Sequence, residues 1–588
     1  MLVSAEWQNI KMSSQDLMPS LSELVNDEQK TIDSVDSEEY IPDNPPPRQG
    51  RVFRGLAPFW HDRLIELGLI VSMALYYVIG NGHLGTERLF QLNPLLSVPF
   101  LLIFIVLCWY RLPFALALLP LALPYYLQQK TVFGHLSFSI AEIVLGICTG
   151  VALLQILVQR GNWRYRLSWQ ELRDRLGPFS IPILVFLAAA ASSILIAYQQ
   201  HFALRAFREE VFDPLLFLLL ALFCLRTRQD VTRLLAALLG TGFLVALLGL
   251  AQYFFFRHQL VLEDGVRRVH AMYGSANGIG LLFDYVFPIG IALVLARTRN
   301  VLGLRKSWGL RIFAIAVCIP LLVVLYLSYS RGAWVAIAVA ALFILAMTAP
   351  NRKVLLIGCL AFIVVAAGVV YPFRHPIYTF IFADHVNIYG ISTFTKRLYL
   401  WESAWRMIQT RPWFGFGMDN WLCYYSANQV CHIPASIQPF HYWLLRDPVT
   451  HARTGLSDEP TLSHPHNIFL HVWVSMGIFG LLAFIAVLVL FGWLFARIII
   501  HMRAQGFNHH LYLEWMTIGV GAAMLAAFVQ GQVDSSFLEQ DLAFCFWMLV
   551  TALLLLRVLS GTPWRGRLIS KRPTDRKNNS KEAALQQS

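Results

Sequence analysis

The sequence predicts an all-α, polytopic membrane protein with about 12 to 14 transmembrane helices and one large loop outside the cytoplasm. Of its 588 residues, 57% are hydrophobic and only 14% are charged, more apolar surface than a soluble protein of this length could bury. Several apolar runs reach the length of about 20 residues that crosses a bilayer. Because Lys and Arg cluster in alternate short loops, we interpret the net charge of +12 as membrane topology and not as a nucleic-acid footprint.

Both ends of the chain differ from the apolar middle. Residues 1–58 are acidic, rich in proline towards their end and poor in apolar side chains, and they lack the basic start and apolar centre of a signal peptide. We expect a disordered cytoplasmic tail here, with a regulatory docking segment as the alternative. Residues 559–588 form a basic tail, which we also place in the cytoplasm.

The apolar runs fall into two groups, residues 59–371 and 467–558, separated by the polar segment 372–466. Within them the sequence predicts membrane helices at roughly 64–80, 94–110, 112–127, 138–158, 180–198, 211–225, 232–256, 278–297, 311–328, 333–349, 353–371, 467–496, 512–531 and 540–557. The second and third share a tight turn at Arg111. Glu142 and Asp284 fall within or near spans, where an ionisable side chain is costly, so we expect each to have a buried partner.

The charges of the short loops set the orientation. One set of alternate loops carries Arg160, Arg164, Arg166, Arg173, Arg175, Arg226, Arg228, Arg233, Arg297, Arg299, Arg305, Lys306, Arg311, Arg352, Lys353, Arg497 and Arg503. By the positive-inside rule these loops and both termini are cytoplasmic, so the long loop 372–466 lies outside. That loop holds Cys423 and Cys431, and a disulfide between them would suit an oxidising side.

Five arginines at predicted outer helix ends break this charge rule: Arg205, Arg208, Arg267, Arg268 and Arg331. Each one alone can snorkel to lipid head groups or pair with an acidic neighbour such as Glu209, Glu210 or Asp264. As a set, they indicate a site for an anionic ligand at the outer face.

The segment RLYLWESAWRMIQTRPWFGFG, residues 397–417, begins with an amphipathic pattern. Its apolar face suits a helix that lies against the membrane surface, with Arg397 at its N-terminal end, and Pro412 then ends that helix. The glycines of WFGFG allow a close approach of the backbone. A structural lid over the helix bundle is the simpler interpretation.

SRGAW at residues 330–334, the segment 397–417 and HPHNIFLHVWVSMGIFGLLAF from His464 resemble, in this order, the signature set of the bacterial O-antigen ligase and Wzy-type polymerase superfamily. RAFREEVFDPLLF and GSANGIGLLFDYVFP are similar to its earlier segments, except that Ala276 stands where the family pattern has Pro. The likeness spans roughly residues 200–550.

This resemblance implies a helical glycosyltransferase fold of the GT-C type. It also implies transfer of a glycan from a polyprenyl diphosphate carrier at the outer face, without a metal or other cofactor. Carried over residue by residue, the family's functional histidine is His466, and its two arginines are Arg331 and Arg397.

The chemistry of such a transfer requires cations and a base. Breaking the bond between the anomeric carbon and the diphosphate leaves negative charge, which guanidinium groups stabilise because they bind two oxygens at once. We expect Arg331 and Arg397 to do this, assisted by the other four outer arginines. His466 is the expected base for the acceptor hydroxyl, because the helix that starts beside it disfavours a second positive charge.

Nearby polar residues complete the candidate site but have simpler alternatives. Asn467 can contact the substrate or act only as a helix cap. His464 either contacts the ligand or stabilises the turn at Pro465. Asp534 either orients His466 or an acceptor hydroxyl, or is a plain helix-end residue. A zinc site formed by His464, His466, His441 and His451 is the metal interpretation, which the irregular spacing and the family likeness disfavour.

The sequence therefore predicts a glycan ligase or polymerase. Its donor would be a polyprenyl diphosphate-linked glycan and its acceptor a glycan or a lipid, and no feature separates the two acceptors. The rival is a transporter or flippase of lipid-linked saccharides, which favours charges or broken helices at the membrane midplane and repeat symmetry. The charges found at outer helix ends, and the motifs found in one large loop, favour the enzyme.

A reporter experiment tests this topology. We expect reporters fused within residues 372–466 to be active only outside the cytoplasm, and reporters at residues 165 and 302 to be active only inside, because basic loops stay in the cytoplasm. A cytoplasmic signal from the long loop would overturn the placement of the site.

Overall fold

The computed structural model describes residues 58–81, 83–84, 87–88, 93–132, 136–158, 169–263, 266–295, 307–349, 353, 356–358, 360, 393–425, 463–505 and 511–565. The N-terminal tail, most of the predicted span 353–371 and most of the C-terminal tail therefore lie outside the described residues. So do parts of the long loop, including Cys431, His441 and His451.

Helices make up almost all of the described chain. Before the long loop they are α1 (Pro58–Asn81), α2 (Val98–Tyr110), α3 (Leu112–Ala117), α4 (Ile140–Val158), α5 (Trp169–Leu176), α6 (Ser180–Ile196), α7 (Gln200–Ala206), α8 (Asp213–Cys224), α9 (Arg228–Phe255), α10 (Ala276–Leu295), α11 (Ser307–Leu327) and α12 (Arg331–Thr348). From the loop onwards they are α13 (Thr393–Thr410), α14 (Trp421–Tyr425), α15 (Ile468–Ala504), α16 (Leu511–Gln530) and α17 (Gln540–Leu559). A π-helical turn, Phe207–Phe212, joins α7 to α8.

Three short antiparallel hairpins are the only strands in these ranges. Strand β1 (His83–Leu84) pairs with β2 (Glu87–Arg88), β3 (Lys130–Val132) with β4 (Leu136–Phe138), and β5 (Val261–Glu263) with β6 (Val266–Arg268). Their registers place His83 opposite Arg88, Lys130 opposite Phe138, and Val261 opposite Arg268.

The predicted all-α membrane fold is confirmed. Among the described residues, ten helices are long and apolar enough to cross a membrane, or eleven if one bent pair counts as a span. That pair is the predicted second and third helices, which the chain bends by 119° at Arg111. The predicted span 211–225 appears as α8, which the π-helical turn joins to α7. Charged residues in and beside that turn, Arg208, Glu209, Glu210 and Asp213, distinguish this segment from the ten apolar helices.

Helices α10 and α17 form the centre of the bundle, because the side chains on all their faces are mostly buried. Helix α16 packs closely on α10 through small residues. A Cβ at Gly519 would lie 3.2 Å from the Cβ of Ala292, so the two backbones come as near as small side chains allow. Large apolar side chains on the outer helices, such as Leu102, Ile181 and Phe313, are exposed, as expected for side chains that contact lipid.

The bundle has two polar ends. One end, which we call the His466 end, is where α10, α12, α15 and α17 begin. At the opposite end, Glu66 of α1 binds the guanidinium groups of both Arg111 and Arg233, the latter at 2.6 Å, and so ties the bend after α2 to α9. Most of the described loop arginines that we assign to the cytoplasm lie at this second end.

Candidate active site

Helix α15 begins at the His466 end with a side-chain cap. The Asn467 carboxamide oxygen accepts hydrogen bonds from the backbone N–H groups of Phe469 at 3.0 Å and Leu470 at 3.1 Å. Its amide nitrogen donates to the carbonyl of Gln532 at 3.1 Å. Asn467 therefore holds the start of α15 against the turn 531–536. A contact between Asn467 and the substrate is still a prediction.

His466 and Asp534 form a hydrogen-bonded pair at this helix start. Nδ1 of His466 lies 2.6 Å from Oδ1 of Asp534, and their side chains are 17% and 4% exposed. His466 has a positive φ of 50°, a conformation that costs a non-glycine residue about 1–2 kcal/mol. Its carbonyl accepts a hydrogen bond from the Trp401 indole at 3.3 Å.

The Asp534 carboxylate determines which imidazole nitrogen is protonated. A carboxylate only accepts, so Nδ1 of His466 must carry the proton that is shared with Asp534. Nε2 then has its lone pair available to accept another proton. This is the arrangement that a general base requires.

Two histidines and an arginine stabilise the buried carboxylate of Asp534. Burial alone would raise the pKa of Asp534, but the charge and hydrogen bond of His466, together with His464 and Arg397, outweigh it and hold that pKa below its usual range. Arg397 of α13 therefore lies close enough to act on the His466–Asp534 pair. His466 and Asp534 are 68 residues apart in the chain, so the sequence alone could not place Arg397 beside them.

Arg331 is the first residue of α12 and lies at the same end. A Cβ at the next residue, Gly332, would be 3.4 Å from Gln530 and 3.5 Å from Val533, so the start of α12 faces the turn that carries Asp534. Ser330 is 98% buried beside Gly280 of α10. Arg331 is thus held at a helix N-terminus, where backbone N–H groups favour anions.

The glycine-rich turn after α13 docks into a break in α15. Gly477 has φ 74° and ψ −173°, a combination that only glycine adopts readily, and it interrupts the helix. The backbone groups released there bind the turn: the N–H of Ile478 donates to the carbonyl of Pro412 at 2.9 Å, and the N–H of Phe416 donates to the carbonyl of Val474 at 2.7 Å. The motif after Arg397 and the motif after His466 are therefore one structural unit.

A second contact fixes this unit to the bundle. The side chain of Asn420, which is fully buried, accepts from the N–H of Gln199 at 2.8 Å and donates to its carbonyl at 3.3 Å. Gln199 lies between α6 and α7. Cys423 on the neighbouring α14 is buried and disulfide-bonded.

Two of the predicted arginines have carboxylate partners. Arg205 lies 3.1 Å from Glu209, and Arg208 lies 2.8 Å from Glu209 and 2.7 Å from Glu142. Pairing with an acidic neighbour was the alternative explanation for these residues, and their contact with substrate remains a prediction. Glu142 therefore has a charged partner, as we expected, although the Arg208 side chain is 29% exposed and not buried. Neither carboxyl oxygen of the buried Asp284 has a hydrogen-bond partner among the described residues.

The other two arginines lie on the third hairpin. Arg268 is 92% buried, and it donates to the carbonyl of Ser328 and to the side chain of Asn277, both at 2.7 Å. It therefore joins β6 to α10 and to the end of α11. Arg267, the preceding residue, is exposed. Arg267 is the better candidate for a substrate contact, because it is exposed while Arg268 is buried in contacts with Ser328 and Asn277.

His464 is buried between His466 and the bundle. Burial lowers the pKa of His464 to about 3, and the charge of His466 adds to this effect, so His464 is neutral. Its ring stacks on that of His471, which binds Ser535 at 2.6 Å. Potential ligand atoms of His464, His466 and Asp534 lie within 4.8 Å of one another, but two of these residues already share a proton.

Sequence reasoning missed three features of this site: the break at Gly477, the His471–Ser535 contact and Glu539, which lies near His464. The glycine in VSMGIFG was a visible signal for the break. The other two depend on residues distant in sequence, and no local pattern announces them.

The bundle and the site together define a polytopic helical membrane protein whose candidate functional residues gather at one helix end. The sequence model of the family described as O-Antigen ligase (Wzy_C) matches residues 315–485, which include Arg331, Arg397 and His466. Over residues 315–485 the match confirms the resemblance to the O-antigen ligase and polymerase superfamily that the motifs indicated, and it supports a ligase- or polymerase-type function on lipid-linked glycans. No curated protein matches the chain. Asp534 and Glu539 lie beyond the matched residues.

Substitution of Gly477 tests the docking of the turn. Because a Cβ at Gly477 would overlap the carbonyl of Trp413, Gly477→Ala should release the turn, cost about 1–3 kcal/mol of stability and reduce glycan transfer sharply. Thermal unfolding in detergent and limited proteolysis around residues 410–425 measure the change. Gly492→Ala on the same helix, where a Cβ would meet nothing within 4 Å, is the control. Equal behaviour of the two variants would contradict the docking role.

Proposed function

We propose that this protein is a metal-independent glycosyltransferase of the ligase or polymerase type. It would transfer a glycan from a polyprenyl diphosphate carrier to an acceptor hydroxyl at the outer face of the cell membrane. The observation that carries the proposal is the His466–Asp534 pair, at 2.6 Å, with Arg397 acting on it and the Arg331 helix start beside it. A base and guanidinium groups at one place are what this reaction needs.

His466 would act as the general base. The acceptor hydroxyl gives its proton to Nε2 as its oxygen attacks the anomeric carbon, and the bond from that carbon to the diphosphate oxygen breaks. Asp534 holds the imidazole in the required tautomer and stabilises the imidazolium that forms. Since His466 is partly exposed while Asp534 is buried, the base can reach a substrate while its partner stays fixed.

Arg331 and Arg397 would stabilise the diphosphate that leaves. Negative charge grows on the diphosphate in the transition state, so fixed guanidinium groups lower the barrier more than they stabilise the bound donor. The N-terminus of α12 adds backbone N–H groups for the same anion. The docked turn keeps α13, and with it Arg397, in place.

The outer location rests on charge and on cysteine chemistry. The basic loops favour the cytoplasm for the end opposite His466. A disulfide-bonded Cys423 near the His466 end suits an oxidising compartment. Both lines of reasoning favour an extracytoplasmic site with both termini in the cytoplasm.

The break at Gly477 lies about 14 Å along α15 from the start of that helix. Transporters also have broken membrane helices of this kind. In a transporter, released backbone groups face a substrate cavity. Here the described ones bind the turn that follows α13, which favours a structural junction and the enzyme over a flippase.

Variants of the base provide the main test. His466→Ala should reduce transfer by about two to four orders of magnitude, the usual contribution of a positioned base. Asp534→Asn should also be severely impaired, because an amide can donate to Nδ1 and so favours the wrong tautomer. His464→Ala should lose much less. The assay is transfer from purified polyprenyl diphosphate donor by protein in detergent, with and without EDTA.

Several outcomes would reject this proposal. A His466→Ala protein that keeps its rate excludes the base, and wild-type protein that works only with added metal excludes metal independence. A flippase abstracts no proton, so His466→Ala cells would either transport normally or retain the donor inside. The enzyme instead leaves donor exposed outside and unused.

Variants of the arginines test the diphosphate site. Arg331→Ala and Arg397→Ala should each cost about two orders of magnitude in rate, or ~3 kcal/mol, while the protein stays folded. Lysine should rescue poorly, because it cannot bind two phosphate oxygens in the same plane. Arg406→Ala is a matched control on α13, since Arg406 pairs with Glu402 on the exposed face. Full activity of both test variants would remove the diphosphate site.

A further inference from the structure

Glu539 is a carboxyl group beside the candidate base that the mechanism above does not use. It directly precedes α17, and its side chain is 30% exposed, although its neighbours in sequence, Leu538 and Gln540, are buried. One carboxyl oxygen lies 3.8 Å from Nε2 of His464. His464 in turn lies against His466, with ring centroids 4.6 Å apart. Glu539 is thus one side chain away from the base.

The tautomer of His464 connects these groups. Nδ1 of His464 faces the backbone N–H of His466 at 3.4 Å and therefore accepts from it. The remaining nitrogen, Nε2, carries the proton and is the one that lies 3.8 Å from Glu539. Glu539 also shares a hydrogen bond with the Tyr126 hydroxyl. The Tyr126 hydroxyl therefore orients this carboxyl group, and part of the side chain stays exposed.

The charges near Glu539 differ in sign from those near Asp534. The described groups that lower the pKa of Asp534 are His466, His464 and Arg397, whereas Asp541 and Asp534 raise the pKa of Glu539. Burial first, and then these carboxylates, raise the pKa of Glu539 to about 8. Around neutral pH this carboxyl group is therefore protonated, and it can donate one hydrogen bond and accept others.

Carboxyl groups continue from Glu539 towards α7 and α8. The described members are Glu142, Glu209, Glu210, Asp213, Asp419, Glu539 and Asp541, and the guanidinium groups among them are Arg205 and Arg208. Two fully buried oxygens beside Glu539, Oε1 of Gln540 and Oδ1 of Asp541, have no hydrogen-bond partner among the described residues. This part of the site is rich in carboxyl groups, and Glu539 is the one whose partly exposed side chain lies beside His464.

The charge difference orients two substrates. A diphosphate is drawn to Arg397 and Arg331, so the donor enters with its diphosphate on the arginine side. Both His466 and Glu539 are partly exposed, so an acceptor that reaches His466 can also contact Glu539. A phosphate or carboxylate on the acceptor would meet carboxyl groups there, and the two described guanidinium groups among them, Arg205 and Arg208, already pair with Glu209 and Glu142. A neutral sugar or an amine would instead find hydrogen-bond partners.

We propose that Glu539 is an acceptor-binding and specificity-determining residue, which hydrogen-bonds the acceptor glycan next to the reacting hydroxyl and selects a neutral or amino sugar over an anionic one. This inference rests on the proposed function, because it assigns the acceptor side of the same site.

The experiment measures transfer by purified protein in detergent from a synthetic polyprenyl diphosphate-linked oligosaccharide. The acceptor is the glycan-bearing extract of a strain that lacks this protein, added in serial dilution. Glu539→Ala should raise the KM for acceptor by about tenfold, the effect of one lost hydrogen bond at a polar site, and change the KM for donor less than about threefold. Glu539→Gln, which resembles the protonated carboxyl group, should recover most of the loss around neutral pH.

Competing sugars test the selectivity without any substitution. Methyl glucoside and methyl glucosaminide should inhibit wild-type transfer, and methyl glucuronide should do so about tenfold less well. Glu402→Gln on α13 is the matched control, because Glu402 is an exposed carboxyl group paired with Arg406, and it should behave as wild type. The competition result stands even if Glu539→Ala does not fold.

The outcomes separate this inference from the proposed function. If wild-type protein does not consume the donor, the proposed function fails. If it transfers normally but Glu539→Ala keeps the wild-type KM for acceptor, the role of Glu539 is rejected. Equal inhibition by the glucuronide, or no inhibition by any of the three sugars, rejects the selectivity.

Discussion

The site depends on one backbone junction, the docking of the turn 412–417 into the break of α15 at Gly477. A helix in lipid must satisfy its own backbone groups, so a break inside it is tolerated only where another part of the protein supplies the missing partners. The turn supplies them at Pro412 and Phe416. This same exchange holds α13 over the start of α15, which brings Arg397 and Trp401 to His466. A segment that looks like a lid in sequence is therefore part of the helix bundle itself.

Around this junction, burial affects the protonation of the carboxyl groups as much as neighbouring charges do. Asp534 is buried and would be costly as a lone anion, but His466, His464 and Arg397 compensate for it. Glu539, a few residues further on, has carboxylate neighbours, and burial keeps it protonated around neutral pH. Two carboxyl groups five residues apart thus differ in ionisation because their neighbours differ. One supports a base, and the other can act as a neutral hydrogen-bond donor.

The membrane bundle also sorts its remaining polar groups by position. Glu66 with Arg111 and Arg233 stabilises the opposite end, and Glu142 with Arg208 stabilises the His466 end. Asp284 differs from these groups. It is fully buried in α10 without a described hydrogen-bond partner, and Asp534 is the charge that acts on it. The expectation that every buried acid has a partner therefore holds for Glu142 and not, within the described residues, for Asp284.

The sequence by itself determined the fold class, the approximate helix positions, the bend at Arg111 and the family motifs that contain Arg331, Arg397 and His466. These follow from apolar length, loop charge and local motifs, which are properties of neighbouring residues. Only the tertiary structure decided which of them meet. It paired His466 with Asp534 across 68 residues, buried Arg268 in a structural contact, gave Arg205 and Arg208 carboxylate partners, and placed Glu539 beside His464. Such contacts depend on how separate helices pack, and a one-dimensional pattern does not encode the distance between two helix ends.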